Sequence, residues 1–247
     1  MFPILQIGPA AVQTPGLILI LSLWIGLTVA EKLAHRFNTQ PNDLYNIIFN
    51  ALIFGVIGAR FTYVLQYSEI FLEAPLNIFS LNPGLLDPVS GVAFGILAAI
   101  IYGNRKKLPL WSTLDALVPL FGVLVIGISL SNLASGNGFG SETNLPWGLH
   151  LWGVKRHPSQ IYESLMGVII LWIVWPKKRK TLFNKNLAGE KFLIFLALSA
   201  GARIFLEAFR GDSIILINNI RTLQVISWFV LAGSLWALQN LKNKKEE

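Results

Sequence analysis

The stretch Gly201-Ala-Arg-Ile-Phe-Leu-Glu-Ala-Phe-Arg-Gly-Asp212 places charged side chains directly after an apolar run, Phe192 to Ala200. Arg203, Glu207 and Arg210 are spaced i, i+4 and i+7, which predicts that they share one helix face. Charges in an apolar span are costly unless they face a protein interior, a water-filled cavity or a ligand. One glutamate cannot neutralise two arginines, so the pattern predicts surplus positive charge and favours an anionic ligand such as lipid phosphate. The alternative is an ion pair that only locks two helices together.

The whole chain is too apolar for an ordinary soluble domain, because 53% of its 247 residues are hydrophobic and only 13% are charged. Apolar runs of membrane-crossing length predict an all-α fold with seven transmembrane helices, in a single integral membrane domain over residues 1–247. The predicted spans are Pro15–Leu33, Leu44–Tyr67, Leu86–Tyr102, Leu114–Leu133, Gln160–Trp175, Leu187–Phe209 and Leu223–Leu241. The absence of cysteine excludes disulfides, zinc–thiolate sites and a cysteine nucleophile.

The basic residues predict the orientation of these spans. Of the 20 lysines and arginines, 14 fall in alternate loops and in the C-terminal tail, which places them on one side. The positive-inside rule then puts the N-terminus outside and the C-terminus in the cytoplasm. The net charge of +7 is therefore a topology signal, and we expect no binding of nucleic acid.

With this topology, the unusual polar residues of five or six spans lie in the outer half of the membrane. They include Arg60, Tyr63, Ser129, Asn132, Gln160, Glu163, Arg203, Glu207, Arg210 and Arg221. The pattern predicts an outward-facing polar cavity with a basic lining, since arginine binds phosphate through two parallel hydrogen bonds. Asp115 lies at the opposite end, where we expect it in the first turn of its own helix. The glycine-rich stretch Ser135–Gly140 is typical of a flexible loop and, less often, of a phosphate-binding loop.

Several stretches together resemble the bacterial prolipoprotein diacylglyceryl transferase family. The most specific is Arg156-His-Pro-Ser-Gln-Ile-Tyr-Glu163, which is close to the Arg-His-Pro-Ser-Gln-Leu-Tyr-Glu of that family. The others are Ile7-Gly-Pro9, Gly58-Ala-Arg60 with Tyr63, Leu114–Gly122 and the segment from Arg203 to Arg210. The family has seven spans and an external N-terminus, as the charge distribution predicts here.

The resemblance implies transfer of the diacylglyceryl group of phosphatidylglycerol to the thiol of a lipobox cysteine in a preprolipoprotein, with release of glycerol phosphate. It implies no cofactor, contact with membrane lipid, a monomer, and a location in the bacterial plasma membrane with the active site facing the extracytoplasmic side. The expected catalytic residues are Arg203, Glu207 and His157, with no metal. The expected substrate-binding residues are Arg60, Tyr63, Asn132, Gln160, Glu163 and Arg210.

This chain departs from the family in its central motifs. In the stretch Ile128–Asn137, Ser129 and Asn137 stand where the family has an arginine and a glutamate, and Val89-Ser-Gly91 stands where the family has His-Gly-Gly. Three interpretations follow. The protein is a transferase with a rearranged site, in which His157 or Glu163 takes the thiol proton, or it is an enzyme for another phospholipid or acceptor. The third interpretation is a non-catalytic relative that binds anionic lipid or a lipoprotein precursor. For His157, a role in organising its loop through hydrogen bonds competes with the role of a base. A transporter is a further class, for which the one-sided distribution of polar residues gives little support.

Overall fold

The structure is a computed structural model that describes residues 3–7, 10–80, 82–176, 187–216 and 220–246, and it is mostly helical. Its helices are α1 (Thr14–Ala34), α2 (Pro41–Gln66), α3 (Ser68–Glu73), α4 (Pro88–Arg105), α5 (Leu110–Ser135), α6 (Ser159–Val174), α7 (Glu190–Leu206) and α8 (Thr222–Glu246). Short 3₁₀ helices cover His35–Phe37, Pro75–Phe79, Pro83–Leu85 and Glu207–Phe209. Gly8 and Pro9, and the basic residues Lys177–Lys180 and Lys185, lie outside the described residues.

The fold also contains β structure that an all-α prediction does not include. Strands β1 (Ile4–Ile7) and β2 (Ala10–Gln13) form an antiparallel hairpin before α1. Strands β3 (Leu149–Leu151) and β4 (Val154–Arg156) form a second hairpin between α5 and α6. These strands have only three or four residues each, too few for a hydrophobic period to be visible in the sequence.

A helix is present at each of the seven predicted spans. By length and composition, five of the described helices can cross a membrane: those beginning at Thr14, Pro41, Leu110, Glu190 and Thr222. Helix α6 is apolar but has only 16 residues, or about 24 Å at 1.5 Å per residue, against an apolar bilayer thickness of ~30 Å. Helix α4 has 18 residues and is not among the five.

Helix α5 is the centre of the fold. One side of it packs with α1 and α2 in a cluster formed by Ala30, Ala34, Leu44, Ala116, Leu117 and Leu120. Its other side packs with α6 and α7 in a cluster formed by Val118, Ile170, Val174 and Phe195. In the most apolar stretch of α5, 56% of the residues are buried, whereas in the corresponding stretch of α8 only 11% are buried. Helix α5 therefore fixes the relative positions of the helices that carry the polar residues.

Asp115 has a different role from the one predicted. It is 3% exposed, and its two carboxylate oxygens accept hydrogen bonds from the backbone N–H groups of Gly189, at 2.7 Å, and Phe192, at 2.8 Å. These donors belong to the beginning of α7, whose first N–H groups have no partner within their own helix. Asp115 thus caps a neighbouring helix rather than stabilising the first turn of α5, and this contact fixes where α7 begins.

Close approach of α1 and α5 depends on Gly127. A Cβ at this position would lie 2.0 Å from Ser22 Oγ and 2.5 Å from Ser22 Cβ. We expect Gly127→Ala to destabilise the protein by about 1–3 kcal/mol through overpacking. The measurement is thermal unfolding in detergent, with Gly233→Ala as the matched control, since a Cβ at Gly233 of α8 meets no atom within 4 Å. Equal unfolding temperatures for the two variants would contradict this account of the contact.

Candidate active site

Helix α7 ends one turn after Arg203, and this end does not have the predicted form. The α-helix ends at Leu206, Glu207 begins a 3₁₀ turn, and Arg210 has an extended backbone with φ −81° and ψ 142°. Arg203, Glu207 and Arg210 therefore do not lie on one continuous helix face. Their side chains come together because the chain turns back over the end of α7.

Glu207 is completely buried and lies beside Arg203. Arg203 Nε is 2.9 Å from Glu207 Oε2, an ion pair that lacks the geometry of an aligned hydrogen bond. The other oxygen, Oε1, accepts a hydrogen bond of 2.6 Å from Ser213 Oγ. Glu207 therefore fixes both the guanidinium of Arg203 and the segment that follows α7.

Both arginines converge on one oxygen of Glu163, in the second turn of α6. Arg203 Nη1 donates to Glu163 Oε1 at 2.9 Å, and Arg210 Nη1 donates to the same atom at 2.8 Å. Ser129 Oγ, on α5, lies 3.5 Å from Glu163 Oε2. Side chains from α5, α6 and α7 and from the segment after α7 thus form one polar cluster.

Arg210 is also held by Asp212, a residue for which the sequence pattern indicates no role. Its Nε and Nη2 donate to the two oxygens of Asp212 at 2.9 and 2.7 Å. Burial alone would lower the pKa of Arg210, but the bonds to Asp212 and Glu163 outweigh burial and raise this pKa above its usual value. Arg221 Nη1 donates to the backbone oxygen of Arg210 at 2.9 Å, which fixes the turn.

The expected surplus of positive charge is wrong for this cluster. Arg203 and Arg210 face three carboxylates, those of Glu163, Glu207 and Asp212, and Arg221 restores the balance to three charges of each sign. Asp212 lies two residues after Arg210 in sequence, but its pairing depends on the turn after α7. An incoming anion must therefore use guanidinium donors that the carboxylates leave free.

Arg203 has such a donor. Its Nε and Nη1 contact Glu207 and Glu163, while no described residue accepts a hydrogen bond from Nη2. Its side chain is 28% exposed, compared with 11% for Arg210, whose three guanidinium nitrogens all contact carboxylates. Arg203 is therefore held rigidly by two carboxylates and has one edge available to a ligand.

A cavity of about 160 Å³ adjoins Arg203 between α5, α6 and α7. Its polar lining residues are Ser129, Glu163, Ser199 and Arg203, and the remaining ones are Val125, Ile128, Met166, Gly167, Ile170, Ala202 and Leu206. On α6, the lining residues Met166, Gly167 and Ile170 come after Glu163 and so lie nearer the middle of the helix. On α7, Ser199 comes before Arg203 and also lies nearer the middle. The cavity therefore extends from the cluster toward the middle of both helices. The charged residues thus cover one end of a largely apolar cavity.

The glycine-rich loop makes specific contacts with α6 and with the segment after α7. Gly136 ends α5 with φ 84°, and the carbonyls of Asn137 and Gly138 accept hydrogen bonds from Gln160 Nε2, at 2.8 Å, and Ser159 Oγ, at 2.7 Å. Gly211 N donates to Phe139 O at 2.8 Å, so the loop is also joined to the segment after α7. The loop therefore connects the beginning of α6 to the arginine segment.

Asn132 and Gln160 lie on either side of this loop, near Arg210. A Cβ at Gly138 would be 3.4 Å from both Asn132 Nδ2 and Arg210 Nη2, which shows that these groups surround the glycine. Gln160 is completely buried, and its Oε1 has no hydrogen-bond partner among the described residues. Both amides belong to the same region as the arginine cluster, as the sequence predicts.

His157 lies in an aromatic group beside the cluster. Its ring packs edge-to-face against Phe209, with centroids 5.3 Å apart, and its Nδ1 lies 3.5 Å from the hydroxyl of Tyr162. Its backbone N–H donates to Ser141 O at 2.9 Å. These contacts are those expected of the loop-organising role, and no described contact joins the imidazole to Arg203 or Glu163.

Arg60 and Tyr63 lie apart from the cluster, which the sequence did not predict. Arg60 Nε donates to Ile78 O at 2.9 Å, Nη1 donates to Leu85 O at 2.8 Å, Nη2 donates to Asn77 O, and the guanidinium lies over the ring of Phe71. The ring of Tyr63 contacts those of Tyr67 and Phe71. In this arrangement the two residues hold the segment between α2 and α4.

Comparison with known proteins agrees with these features. The fold and the site together define a helical membrane protein in which paired arginines and carboxylates adjoin an apolar cavity. The family described as prolipoprotein diacylglyceryl transferase matches residues 3–239, and the chain belongs to this family.

Curated relatives cover nearly the whole chain. A phosphatidylglycerol–prolipoprotein diacylglyceryl transferase of Clostridioides difficile (strain 630) is 30% identical over 240 residues, which are 94% of this chain and 91% of the relative. Proteins of the same name from Trichormus variabilis and Bordetella parapertussis are 29% and 28% identical, over 94% and 84% of this chain and 88% and 81% of their own lengths. The family and these names indicate a diacylglyceryl transferase.

Proposed function

We propose that this protein transfers the diacylglyceryl group of phosphatidylglycerol to the thiol of a lipobox cysteine in a preprolipoprotein. The observation that carries this proposal is Arg203 itself, which lines an apolar cavity, is held by Glu163 and Glu207, and has an Nη2 from which no described residue accepts a hydrogen bond. A phospholipid has a matching order of groups, an anionic phosphate followed by an apolar portion. The names of the relatives support the choice of lipid and acceptor.

In the proposed reaction, the cysteine thiol loses its proton, since thiolate is the nucleophile, and this proton ends on the leaving phosphate. The sulfur attacks the glycerol carbon that bears the phosphate, a C–S thioether bond forms, and the C–O bond to the phosphate breaks. Glycerol phosphate leaves with the bonding electrons. Arg203 stabilises the negative charge that develops on the leaving phosphate, and Glu163 and Glu207 position the guanidinium before the reaction begins. Asn132, Gln160 and Arg210 contact the glycine-rich loop and position it beside the arginine cluster.

The test is incubation of the purified protein with radiolabelled phosphatidylglycerol and a lipobox peptide. We expect a thioether-linked product and released glycerol phosphate in equal amounts. Retention of labelled lipid without product would favour the alternative, a relative that binds anionic lipid without turnover. One structural argument favours that alternative. Ser129 stands where the family has an arginine, and a serine side chain is too short to supply a guanidinium to the ligand. In this protein Ser129 contacts Glu163 instead.

For the topology, we propose that all seven long helices cross the plasma membrane, with the N-terminus and the active site on the extracytoplasmic side. We also propose that the chain acts as a single domain and as a monomer. Since α6 is short, the β3–β4 hairpin that precedes it would lie near the outer membrane surface. The clustering of basic residues in alternate loops supports this orientation.

The chain contains no cysteine, which makes single-cysteine labelling direct. We expect a membrane-impermeant thiol reagent applied to intact cells to label His150→Cys, in strand β3 of the hairpin, and not Lys106→Cys, directly after α4. Both positions are exposed, so accessibility within the protein does not limit either reaction. Disruption of the cells should make Lys106→Cys reactive, and labelling in the reverse order would overturn the proposed orientation.

A further inference from the structure

Ser199, one turn before Arg203 on α7, differs from most hydroxyl residues of the described helices, and Thr14 at the start of α1 is the other one whose hydroxyl is buried without a partner. Nine serines and threonines donate to a backbone carbonyl three or four residues earlier, and these are Ser22, Thr28, Ser90, Thr113, Ser129, Ser135, Ser164, Ser227 and Ser234. This back-bonding is the usual way for a helical hydroxyl to satisfy its donor. Ser199 Oγ is buried and has no hydrogen-bond partner among the described residues.

Ser199 also lines the cavity next to Arg203. A buried polar group without a partner costs free energy, so an unpaired hydroxyl in a binding cavity indicates a ligand that supplies the missing partner. The hydroxyl can donate one hydrogen bond, and the nearby wall formed by Met166, Gly167 and Ile170 offers no side-chain acceptor. The group that fits is therefore an acceptor oxygen within an otherwise apolar part of a ligand.

The position of Ser199 relative to Arg203 specifies that oxygen further. Four residues along a helix correspond to about 6 Å, on the same face. In a diacyl phospholipid, the ester carbonyls are separated from the phosphate by only the glycerol carbons. A lipid whose phosphate meets Arg203 Nη2 thus places an ester carbonyl one helical turn deeper, at the level of Ser199.

The cavity, at about 160 Å³, is small compared with a whole phospholipid, so the acyl chains would remain in the bilayer.

We propose that Ser199 is a specificity-determining residue whose hydroxyl donates a hydrogen bond to an acyl ester carbonyl of the donor lipid, so that the protein prefers ester-linked over ether-linked phosphatidylglycerol. This inference rests on the proposed function, because it assumes that Arg203 holds the phosphate. The transfer does not break the acyl esters, so a dialkyl ether lipid differs from the substrate only in the carbonyls that Ser199 would contact.

The experiment is competition binding to purified protein in a neutral detergent. Diacyl and dialkyl phosphatidylglycerol of equal chain length compete for a fluorescent phosphatidylglycerol. For the unmodified protein we expect about 2- to 12-fold tighter binding of the ester lipid, the effect of one net hydrogen bond. Ser199→Ala should bring this ratio close to one by weakening ester binding alone, with no loss of thermal stability, since the removed hydroxyl has no partner in the protein.

Ser227→Ala is the matched control, because Ser227 is also a buried helical serine but bonds to Leu223 O on α8. It should keep the ester preference. Equal binding of the two lipids by the unmodified protein, or an unchanged ratio in Ser199→Ala, would overturn the role of Ser199 and leave the proposed transfer intact. Failure of the unmodified protein to bind either lipid would overturn the proposed function and this inference with it.

Discussion

Arg203→Ala is expected to lower kcat/KM for lipidation of a lipobox peptide by about 10²- to 10³-fold, the usual effect of removing one donor that stabilises a transition state. Arg203 lines the cavity and keeps one guanidinium nitrogen free of carboxylates, whereas the guanidinium nitrogens of Arg210 all contact carboxylates. The measurement is steady-state transfer with purified protein in mixed micelles of phosphatidylglycerol and detergent.

Arg203→Lys separates charge from geometry. Lysine keeps the positive charge, but its ammonium group lacks the planar set of donors with which a guanidinium can contact two carboxylates and a phosphate at once. We therefore expect most of the activity loss to remain. Arg105→Ala provides the control, because Arg105 is exposed at the end of α4 and has no part in the cluster. Near-normal transfer by Arg203→Ala would remove the basis of the proposed function.

Glu163→Ala is expected to reduce both activity and stability. Two guanidinium nitrogens lie within 2.9 Å of one carboxylate oxygen, and without it the two cations repel each other and lose their fixed positions. Removing one partner from a buried ion pair lowers the free energy of unfolding by about 3–5 kcal/mol. Because Arg203 is partly exposed, we expect a loss of about 3 kcal/mol or less. We expect a lower unfolding temperature in detergent and a fall in kcat/KM of at least about 10²-fold.

Glu163→Gln keeps the shape of the side chain and removes its charge. It should recover much of the unfolding temperature, since an amide oxygen can still accept from Arg203, but less of the activity. Glu69→Ala is the control for loss of a carboxylate, because Glu69 is exposed on α3. A Glu163→Ala protein with unchanged stability and activity would show that the convergence of the two arginines has no role.

Several features of the site follow from sequence alone. The spacing of Arg203 and Glu207, and the presence of Gln160 and Glu163 on one short helix, predict most of the cluster. Their partners are less predictable, because Asp212 and Ser213 look like ordinary residues until the turn after α7 brings them into contact with Arg210 and Glu207. Arg60 shows the opposite case: as an arginine in an apolar span it resembles a ligand-binding residue, but three backbone carbonyls accept its hydrogen bonds.

The sequence by itself determined where the helices lie, which residues could carry charge at their ends, and to which family the chain belongs. These properties depend on apolar runs and motifs within single segments, which local composition records. The tertiary structure alone decided which carboxylate neutralises which arginine, that Asp115 caps α7, that the glycine-rich loop is fixed, and that Arg203 keeps a free edge. Each of these depends on segments far apart in sequence, since an ion pair or a cap forms only when packing brings its two members within about 3 Å.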